Sequence, residues 1–168
     1  MLNSAAIQIH PFPPLFNDES KILILGSFPS VKSRENQFYY GHPQNRFWKV
    51  IATIFGADIP TSIDEKKALI LSNHLALWDV IAECEIVGSS DSSIRNVRAN
   101  DLTVILEHSK VEQIFTNGKT AEKHYIKYIE PQTKIKATVL PSTSPANAAW
   151  SLERLIEEWG ELIFGSQL

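Results

Sequence analysis

The chain has a single cysteine, Cys84, among its 168 residues. One thiol excludes an internal disulfide and also the paired-cysteine spacings that build structural zinc sites. No segment approaches the roughly 20 consecutive apolar residues of a membrane-spanning helix, and the N-terminal stretch has no basic segment followed by a continuous apolar run. We therefore expect a protein of a reducing, cytoplasmic compartment that does not associate with a membrane.

Several catalytic signatures are absent as well. The five histidines form no His-Glu-x-x-His pair, and the histidine and cysteine signature of zinc deaminases does not occur. No Gly-x-Ser-x-Gly elbow for an activated serine is found. The segment FTNGKT, residues 115–120, resembles the end of the phosphate-binding P-loop motif, but Gln113 stands where that motif requires its first glycine. We therefore expect no metal ion, no cofactor and no bound nucleoside triphosphate.

A basic excess is also missing, because 16 lysines and arginines face 19 acidic residues and give a formal net charge of -3. The charges are unevenly distributed. Residues 94–136 hold eight basic and five acidic side chains, whereas the segment from Trp150 to the C-terminus is acidic. Charge alone favours two ordinary solvated surfaces over a face that binds a polyanion.

Short apolar runs alternate with segments of helical periodicity. The clearest run, KILIL at residues 21–25, lacks polar alternation and predicts a strand buried on both faces. Such alternation predicts an α/β fold, a three-layer α/β/α sandwich with a central, mostly parallel four-stranded sheet. The predicted strands are residues 21–25, 76–81, 111–115 and 134–140, and the predicted helices are residues 46–55, 64–72, 101–108, 119–129 and 151–164.

Length and composition predict one domain over residues 1–168, since 43% hydrophobic residues suffice for one core in a chain of this size. The proline-rich opening HPFPP predicts that residues 1–20 form a surface arm. Parallel sheets bind ligands at the carboxyl ends of their strands. We therefore expect the functional residues in LGSFPS (25–30), FTNG (115–118) and LPSTSPAN (140–147).

The segment FYYGHPQNRFW, residues 38–48, holds five of the sixteen aromatic side chains. Phe47 and Trp48 lie at the start of a predicted helix and are expected to anchor the core. Tyr39 and Tyr40 precede a Gly-His-Pro turn that cannot belong to that helix. They are therefore either core side chains or a platform on which a planar ligand stacks.

Three separated segments match one known family in order and spacing. They are LGSFPS with YYGHPQNRFWKV, the central IFTNGKTA, and LPSTSPAN with the following SLERLIEEW. Together they resemble the uracil-DNA glycosylase superfamily, in particular its mismatch-specific and hypoxanthine-specific branches, over residues 21–159. The resemblance implies a three-layer α/β/α fold, which agrees with the fold predicted above without it.

The resemblance also implies an activity. A protein of this kind would be a monomeric, cofactor-free DNA glycosylase of base excision repair, located in the cytoplasm, and at the nucleoid in a prokaryote. Its partner would be double-stranded, or else single-stranded, DNA that contains a deaminated base, with hypoxanthine as the first choice. Since the motifs hold no carboxylate pair and no lysine poised for a Schiff base, we expect a monofunctional enzyme that leaves the strand uncut.

The family's first motif usually carries a Gly-x-Asn-Pro or Gly-x-Asp-Pro unit, whose polar side chain positions the attacking water. Phe28 stands at that place here, and a phenyl ring cannot orient water by hydrogen bonding. The resemblance to the hypoxanthine branch assigns this catalytic role to Asn45 instead. Asn45 also stands directly before Arg46 and Phe47, where an asparagine can cap a helix. The sequence leaves both roles open.

The remaining predicted site residues fall into two groups. The pocket for a base flipped out of the duplex is expected to comprise Gly26, Ser27, Phe28, Pro29, Tyr39, Tyr40, His42 and Asn117, with Tyr40 as the stacking surface. The residues expected to contact DNA are Ser30, Ser142, Ser144, Pro145, Ala146 and Asn147. Apart from the resemblance, the last five would form a plain turn, because Ser, Pro and Asn favour turns.

Two other functions stay open. The nearest is a glycosylase specific for uracil or thymine mismatches, against which Phe28 argues. The other is a catalytically silent nucleic-acid-binding protein on the same scaffold, which the missing polar residue of the first motif allows. A nucleotide-binding α/β module has little support, because the P-loop pattern is interrupted at Gln113.

Overall fold

The computed structural model describes residues 6–86 and 94–165. Within these ranges the chain forms seven strands and seven helices. The strands are β1 (Ala6–Ile9), β2 (Ile22–Gly26), β3 (Leu75–Asp79), β4 (Ile81–Ile86), β5 (Arg95–Ala99), β6 (Gln113–Asn117) and β7 (Ala137–Leu140). The helices are α1 (Val31–Asn36), α2 (Phe47–Ile54), α3 (Ile63–Ser72), α4 (Thr103–Leu106), α5 (Lys119–Tyr128), α6 (Glu130–Thr133) and α7 (Leu152–Gly165). None of them is long and apolar enough to cross a membrane.

A four-stranded parallel sheet in the order β3-β2-β6-β7 forms the centre of the fold. Ile24 of β2 pairs with Leu77 of β3 on one side and with Phe115 of β6 on the other. Because all four strands run the same way, the loops that follow them emerge together at one edge of the sheet. The predicted parallel sheet and α/β class are confirmed.

Strand β2 is buried on both faces, as its unbroken apolar run predicts. Ile22 and Ile24 pack into the core on one side of the sheet, and Leu23 and Leu25 pack into the core on the other. This division follows from the two-residue period of a strand.

Helices α2, α3 and α7 cover the first face of the sheet. Phe47 and Ile51 of α2, Ile70 of α3 and Trp159 of α7 are fully buried there. The Trp159 indole N–H donates to the carbonyl of Pro141 at 2.8 Å, so α7 is tied to the loop that follows β7. The large aromatic rings supply apolar burial on this side.

A second, antiparallel sheet in the order β1-β4-β5 covers part of the other face, beside α4 and α5. Ile81, Cys84 and Ile86 of β4 join the same core as Tyr125 of α5. This sheet is absent from the sequence-based prediction, which assigned Ile81 to the central sheet. The exposed pattern of β5 explains the omission, because its RNVRA sequence contributes little apolar burial.

The described part of the predicted surface arm is not a free arm. Strand β1 pairs with β4, and the Leu15 amide donates to Leu77 in β3 at 2.9 Å. Phe12 is 8% exposed, and Ser20 is fully buried. The backbone of this segment is paired with the sheet and Phe12 is buried, whereas Ile7 and Ile9 stay exposed, so the segment lies on the surface but is attached to the sheet.

The predicted helices lie close to the observed ones, with one exception and two omissions. The segment 101–108 forms only the four-residue helix α4. Helices α1 and α6 were not predicted. Helix α1 begins after Ser30, whose hydroxyl accepts from the Ser33 amide at 3.2 Å and caps the helix. The cap places α1 directly behind the loop that follows β2.

Candidate active site

A cavity of about 310 Å³ opens at the carboxyl edge of the central sheet. Its walls come from the loops after β2, β3, β6 and β7 and from the aromatic segment before α2. The described residues that line it are Gly26, Ser27, Phe28, Pro29, Ser30, Ser33, Tyr39, Tyr40, His42, Asn45, Asp79, Asn117, Ser142, Thr143, Ser144, Pro145 and Ala146.

The structure brings together nearly all of the residues that the sequence assigned to a site. Of these, only Asn147 lies outside the cavity, and it borders an adjoining depression instead. Ser33, Asp79 and Thr143 line the cavity although they were not among the predicted site residues. No cluster of three or more histidine, cysteine or acidic side chains suited to a metal ion occurs in residues 6–86 and 94–165.

Asn45 lies in the cavity wall with its side-chain oxygen already engaged. Its Oδ1 accepts from the Phe47 amide and from the Thr143 hydroxyl, each at 2.9 Å. An amide N–H must donate to an oxygen, so these contacts fix the orientation of the side-chain amide. The Nδ2 group has no acceptor among the described residues. The oxygen of Asn45 therefore binds the first amide of α2 from the position before its N-cap, Arg46, and the Nδ2 end remains available for hydrogen bonding.

Thr143 connects Asn45 with Asn117 across the cavity. Its hydroxyl accepts from Asn117 Nδ2 at 3.0 Å, and its amide donates to Asn117 Oδ1 at 3.0 Å. Thr143 is fully buried. This network uses both ends of the Asn117 side chain, so it positions the loop after β7 against the end of β6. The buried hydroxyl of Thr143, within the LPSTSPAN segment, makes a connection that the sequence analysis did not predict.

Arg46 fixes the shape of the loop after β7. Its guanidinium donates to the carbonyls of Ser144 at 2.9 Å and Asn147 at 3.1 Å, and also to Trp150. Hydrogen bonds within the loop add to this, because the Asn147 side chain donates to the Ser142 carbonyl at 3.0 Å. The loop is therefore pre-shaped by bonds that use the side chain of Asn147 for local structure.

The hydroxyls of Ser142 and Ser144 contribute to the same turn. They accept from the amides of Ser144 and Ala146 respectively, each at 3.1 Å. Both serines nevertheless line the cavity. The same residues thus form both the turn and part of the cavity wall, so the interpretation as a plain turn is compatible with the interpretation as a DNA-contacting loop.

Tyr39 and Tyr40 have different surroundings. Tyr39 is 2% exposed, and its hydroxyl donates to the Pro13 carbonyl at 3.0 Å, so it is a core side chain at the cavity wall. The Tyr40 ring stacks on Phe47 with centroids 4.0 Å apart. Tyr40 also has a φ of 52°, a conformation that costs energy for a residue other than glycine.

The Tyr40 hydroxyl is buried; it makes no hydrogen bond of standard geometry among the described residues, and the side chain of Asn117 is a polar neighbour. Burial raises the pKa of Tyr40 well above its ordinary value of 10, the neighbouring Asp79 carboxylate raises it further, and the Asn117 side chain lowers it to a smaller extent. The phenol is therefore a neutral donor at physiological pH. An unpaired buried hydroxyl costs about 1–3 kcal/mol, which the surrounding packing has to offset.

Asp79 ends β3 at the floor of the cavity and is 4% exposed. Its Oδ2 lies 2.7 Å from Nε2 of His10, and Nδ1 of His10 lies 2.8 Å from the Phe12 carbonyl. Because that carbonyl can only accept, Nδ1 carries a hydrogen, and the imidazolium form satisfies both partners. Oδ1 of Asp79 has no donor among the described residues.

Phe28 and His42 complete the wall without offering a carboxylate or an amide side chain. Phe28 packs edge-on to His10, and the Arg34 guanidinium lies 5.6 Å from its ring centroid. His42 Nδ1 accepts from the Gln44 amide at 3.1 Å, so Nε2 carries the remaining hydrogen of the neutral ring. The first motif thus presents an aromatic ring to the cavity.

These features define an α/β protein with a partly aromatic, partly polar pocket at the carboxyl edge of a parallel sheet, and such a pocket suits a small planar group. The family model described as the uracil DNA glycosylase superfamily matches residues 13–162. Two proteins named hypoxanthine DNA glycosylase are similar to the chain. The one from Methanosarcina acetivorans is 36% identical over 158 residues, covering 91% of this chain and 96% of its own.

The relative from Methanosarcina barkeri is 30% identical over 154 residues, covering 89% of this chain and 94% of its own. A solution NMR structure of a Methanosarcina acetivorans protein matches the fold with a TM-score of 0.78 at 33% identity, covering 92% of this chain and 95% of that one. The chain belongs to the uracil DNA glycosylase superfamily and is a DNA glycosylase. The resemblance identified from the motifs is confirmed.

Proposed function

We propose that the chain is a monofunctional glycosylase that hydrolyses the N-glycosidic bond of deoxyinosine in DNA and releases hypoxanthine for base excision repair. The observation that carries the proposal is the position of Asn45 in the cavity wall, in a site whose first motif presents Phe28 instead of a polar residue. The names of the two relatives support hypoxanthine as the base.

The reaction needs a water molecule held near the anomeric carbon. Bond cleavage passes through an oxocarbenium-like sugar, and water adds to that carbon while the base leaves with the bonding electron pair. Nδ2 of Asn45 is the available end of the amide and donates to the water oxygen, which leaves a lone pair of that oxygen for the sugar. The water then loses a proton to solvent, and the departing base gains one.

A neutral amide suffices for this role, since the oxocarbenium ion is already a strong electrophile. Asn45 needs only to hold the water in a reactive position, which also avoids the cost of burying a charge. Its orientation is set before substrate arrives, because the Phe47 amide and the Thr143 hydroxyl bind its oxygen. Such preorganisation lowers the barrier without rearrangement during the reaction.

Monofunctional chemistry agrees with the composition of the cavity wall. None of its described residues is a lysine, and Asp79 is the one carboxylate among them. A glycosylase that also cuts the strand requires an amine nucleophile that forms a Schiff base. We therefore expect the product to be an intact strand with an abasic site.

The loop of residues 142–147 is proposed to contact the DNA beside the flipped nucleotide. It borders the cavity, and Arg46 together with the loop's own hydrogen bonds fixes its shape. A loop fixed in advance enters the minor groove at a low entropic cost. Double-stranded DNA is the proposed substrate, and the protein is proposed to act as a monomer.

The test is the release of base from three otherwise identical duplexes. One carries deoxyinosine, one deoxyuridine opposite guanine and one thymine opposite guanine, and alkali then reveals abasic sites. We expect the deoxyinosine duplex to be cleaved fastest, with free hypoxanthine recovered and no cleavage before alkali. Faster release of uracil or thymine would establish the mismatch-specific alternative, and binding without release would establish a catalytically silent protein.

A further inference from the structure

Helix α5 presents three lysines on its exposed face. Lys119, Lys123 and Lys127 follow one another at intervals of four residues, which places them in one row along a helix. All three are exposed, whereas the opposite face of the helix, which contains Ala121 and Tyr125, is buried. The helix rises 1.5 Å per residue, so the row extends over about 12 Å. We call these three side chains the lysine row.

The lysine row lacks acidic partners. None of its side chains forms an ion pair with Glu122 or with another acidic residue in the part of the chain that the structure describes. Like charges four positions apart on a helix repel each other, and a cation in the first turn, as at Lys119, opposes the helix dipole. Burial lowers the pKa of His124, and the charges of Lys123 and Lys127 lower it further. The row therefore costs stability that an anionic partner would recover.

The row begins beside the cavity. Lys119 borders a depression that shares Ser142 and Ser144 with the cavity wall. The start of α5 approaches the same loop closely, because a Cβ on Gly118 would lie 3.1 Å from the Cβ of Ser142. Since β6 and β7 are parallel, the helix between them runs back from the carboxyl edge of the sheet toward the amino edge. The lysine row thus starts at the site and extends away from it on one side.

The helix on the opposite face of the central sheet has the reverse charge. Helix α7 carries four glutamates and one arginine, whereas α5 carries three lysines and one glutamate. Glu158 of α7 borders the same depression as Lys119. A polyanion that enters this depression is therefore repelled by the wall that α7 forms and attracted by the wall that α5 forms. This asymmetry directs it along the lysine row.

We propose that the lysine row binds phosphates of the duplex on one side of the flipped nucleotide, so that the DNA extends from the cavity along α5. The proposal goes beyond the proposed function: it depends on DNA as the substrate and holds whichever base is released. One strand of a duplex carries a phosphate every 3.4 Å or so of its axis, so a row of about 12 Å spans roughly three or four phosphates. Because the whole chain has a net charge of -3, attraction of DNA depends on such local concentrations of basic side chains.

The test compares two double variants of equal charge. In the first, Lys119→Gln is combined with Lys123→Gln. In the matched control, Lys21→Gln is combined with Lys110→Gln, at exposed positions before β2 and β6, where the strands begin and the cavity is remote. The probe is a duplex with a stable tetrahydrofuran analogue of an abasic site at its centre, which the protein cannot turn over.

Fluorescence anisotropy at salt concentrations from about 50 to 200 mM measures the affinity for this probe. Each lost phosphate contact should make the dependence of log K on log salt shallower by about 0.9, so the first variant should change the slope by about 2 and the control should not change it. The melting temperature of the first variant at low salt should be unchanged or higher, because repulsion between the two lysines is removed.

Duplexes with the analogue near one end test where the DNA lies. One has a long flank only on the 5′ side of the analogue, and the other only on the 3′ side. We expect the first variant to bind one of these duplexes more weakly than the wild type and to bind the other equally well. Lys127→Gln, at the far end of the row, should weaken binding of the same duplex, and shortening its long flank should remove this effect.

The outcomes separate this proposal from the proposed function. An unchanged slope, an equal loss in the control variant, or an equal loss on both one-sided duplexes would overturn the role of the lysine row and leave the function standing if hypoxanthine is still released. Wild-type protein with the expected slope and flank dependence that releases no hypoxanthine from the deoxyinosine duplex would support the lysine row and contradict the proposed function.

Discussion

Replacing Asn45 by alanine and by serine separates its two structural contacts from its proposed chemistry. Alanine removes the acceptor of the Phe47 amide and of the Thr143 hydroxyl. Loss of the buried acceptor for these two donors costs about 1–3 kcal/mol. For a protein of this size, each kcal/mol lowers the melting temperature by about 2–4 °C. A serine hydroxyl can accept from the amide two residues on in the same way, so Asn45→Ser should melt closer to the wild type than Asn45→Ala does.

The rates should follow a different pattern from the melting temperatures. Neither alanine nor serine offers an amide N–H₂ group at the depth of Asn45 Nδ2. Both variants should therefore lose about 10²–10³ in the single-turnover rate of hypoxanthine release, as when one preorganised group is removed from an active site. Single-turnover assays on the deoxyinosine duplex, with DNA affinity measured in parallel, give the rate without product release.

Ser62→Ala is the matched control for this experiment. Ser62 caps α3, remote from the cavity, and its hydroxyl accepts from the Glu65 amide at 3.1 Å. Its loss should lower the melting temperature about as much as Asn45→Ala while leaving the rate unchanged. If Asn45→Ala behaves like Ser62→Ala, with a lower melting temperature and a normal rate, then Asn45 only holds the start of α2 and the loop of Thr143 in place, and the water-positioning role is refuted.

Three further perturbations follow from the geometry. Arg46→Met removes the donor to the carbonyls of Ser144, Asn147 and Trp150. Thermal melting should therefore show a free energy of unfolding lower by about 3 kcal/mol, and base release should slow. An unchanged melting temperature would contradict the role of Arg46 in fixing the loop after β7. Gly26→Ala should abolish hypoxanthine binding in calorimetry, because its methyl group overlaps Oδ1 of Asp79, and retained binding would contradict that close approach. Burial lowers the pKa of His124 below 6.5, so the unfolded chain takes up a proton first and the free energy of unfolding declines as the pH falls below that value. Urea unfolding at about pH 7.5 and about pH 5.5 should show this decline, and His124→Asn should reduce it.

The central sheet was predictable because its strands carry unambiguous signals. An unbroken apolar run such as that of β2 has few alternatives to a strand covered on both faces. The second sheet lacked such a signal. Strand β5 is largely exposed and rich in arginine, and β1 pairs only with β4, 74 or more positions away. Its formation depends on tertiary pairing, which a local pattern does not encode.

The cavity was predictable to a similar extent. Loops after parallel strands had to meet at one edge, and this rule brought Phe28, Asn117 and Ser142 together as expected. The same rule could have identified Asp79, since it directly follows the apolar run of β3. No comparable signal marked His10, because a proline-rich opening is typical of a surface segment. Its role depends on a single contact with a residue from a distant part of the chain.

The pairing of His10 with Asp79 bears on the chemistry of base release. The departing base carries developing negative charge, and a lone carboxylate about 4 Å away would oppose that charge by roughly 4 kcal/mol at an effective dielectric constant of about 20. A proton shared between His10 Nε2 and Asp79 Oδ2, which lie 2.7 Å apart, would offset most of this repulsion, because the pair as a whole would then be neutral. A carboxylate in the cavity wall is therefore compatible with expulsion of an anionic base only when His10 accompanies it, and His10→Phe should consequently reduce the rate of base release more than the affinity for DNA.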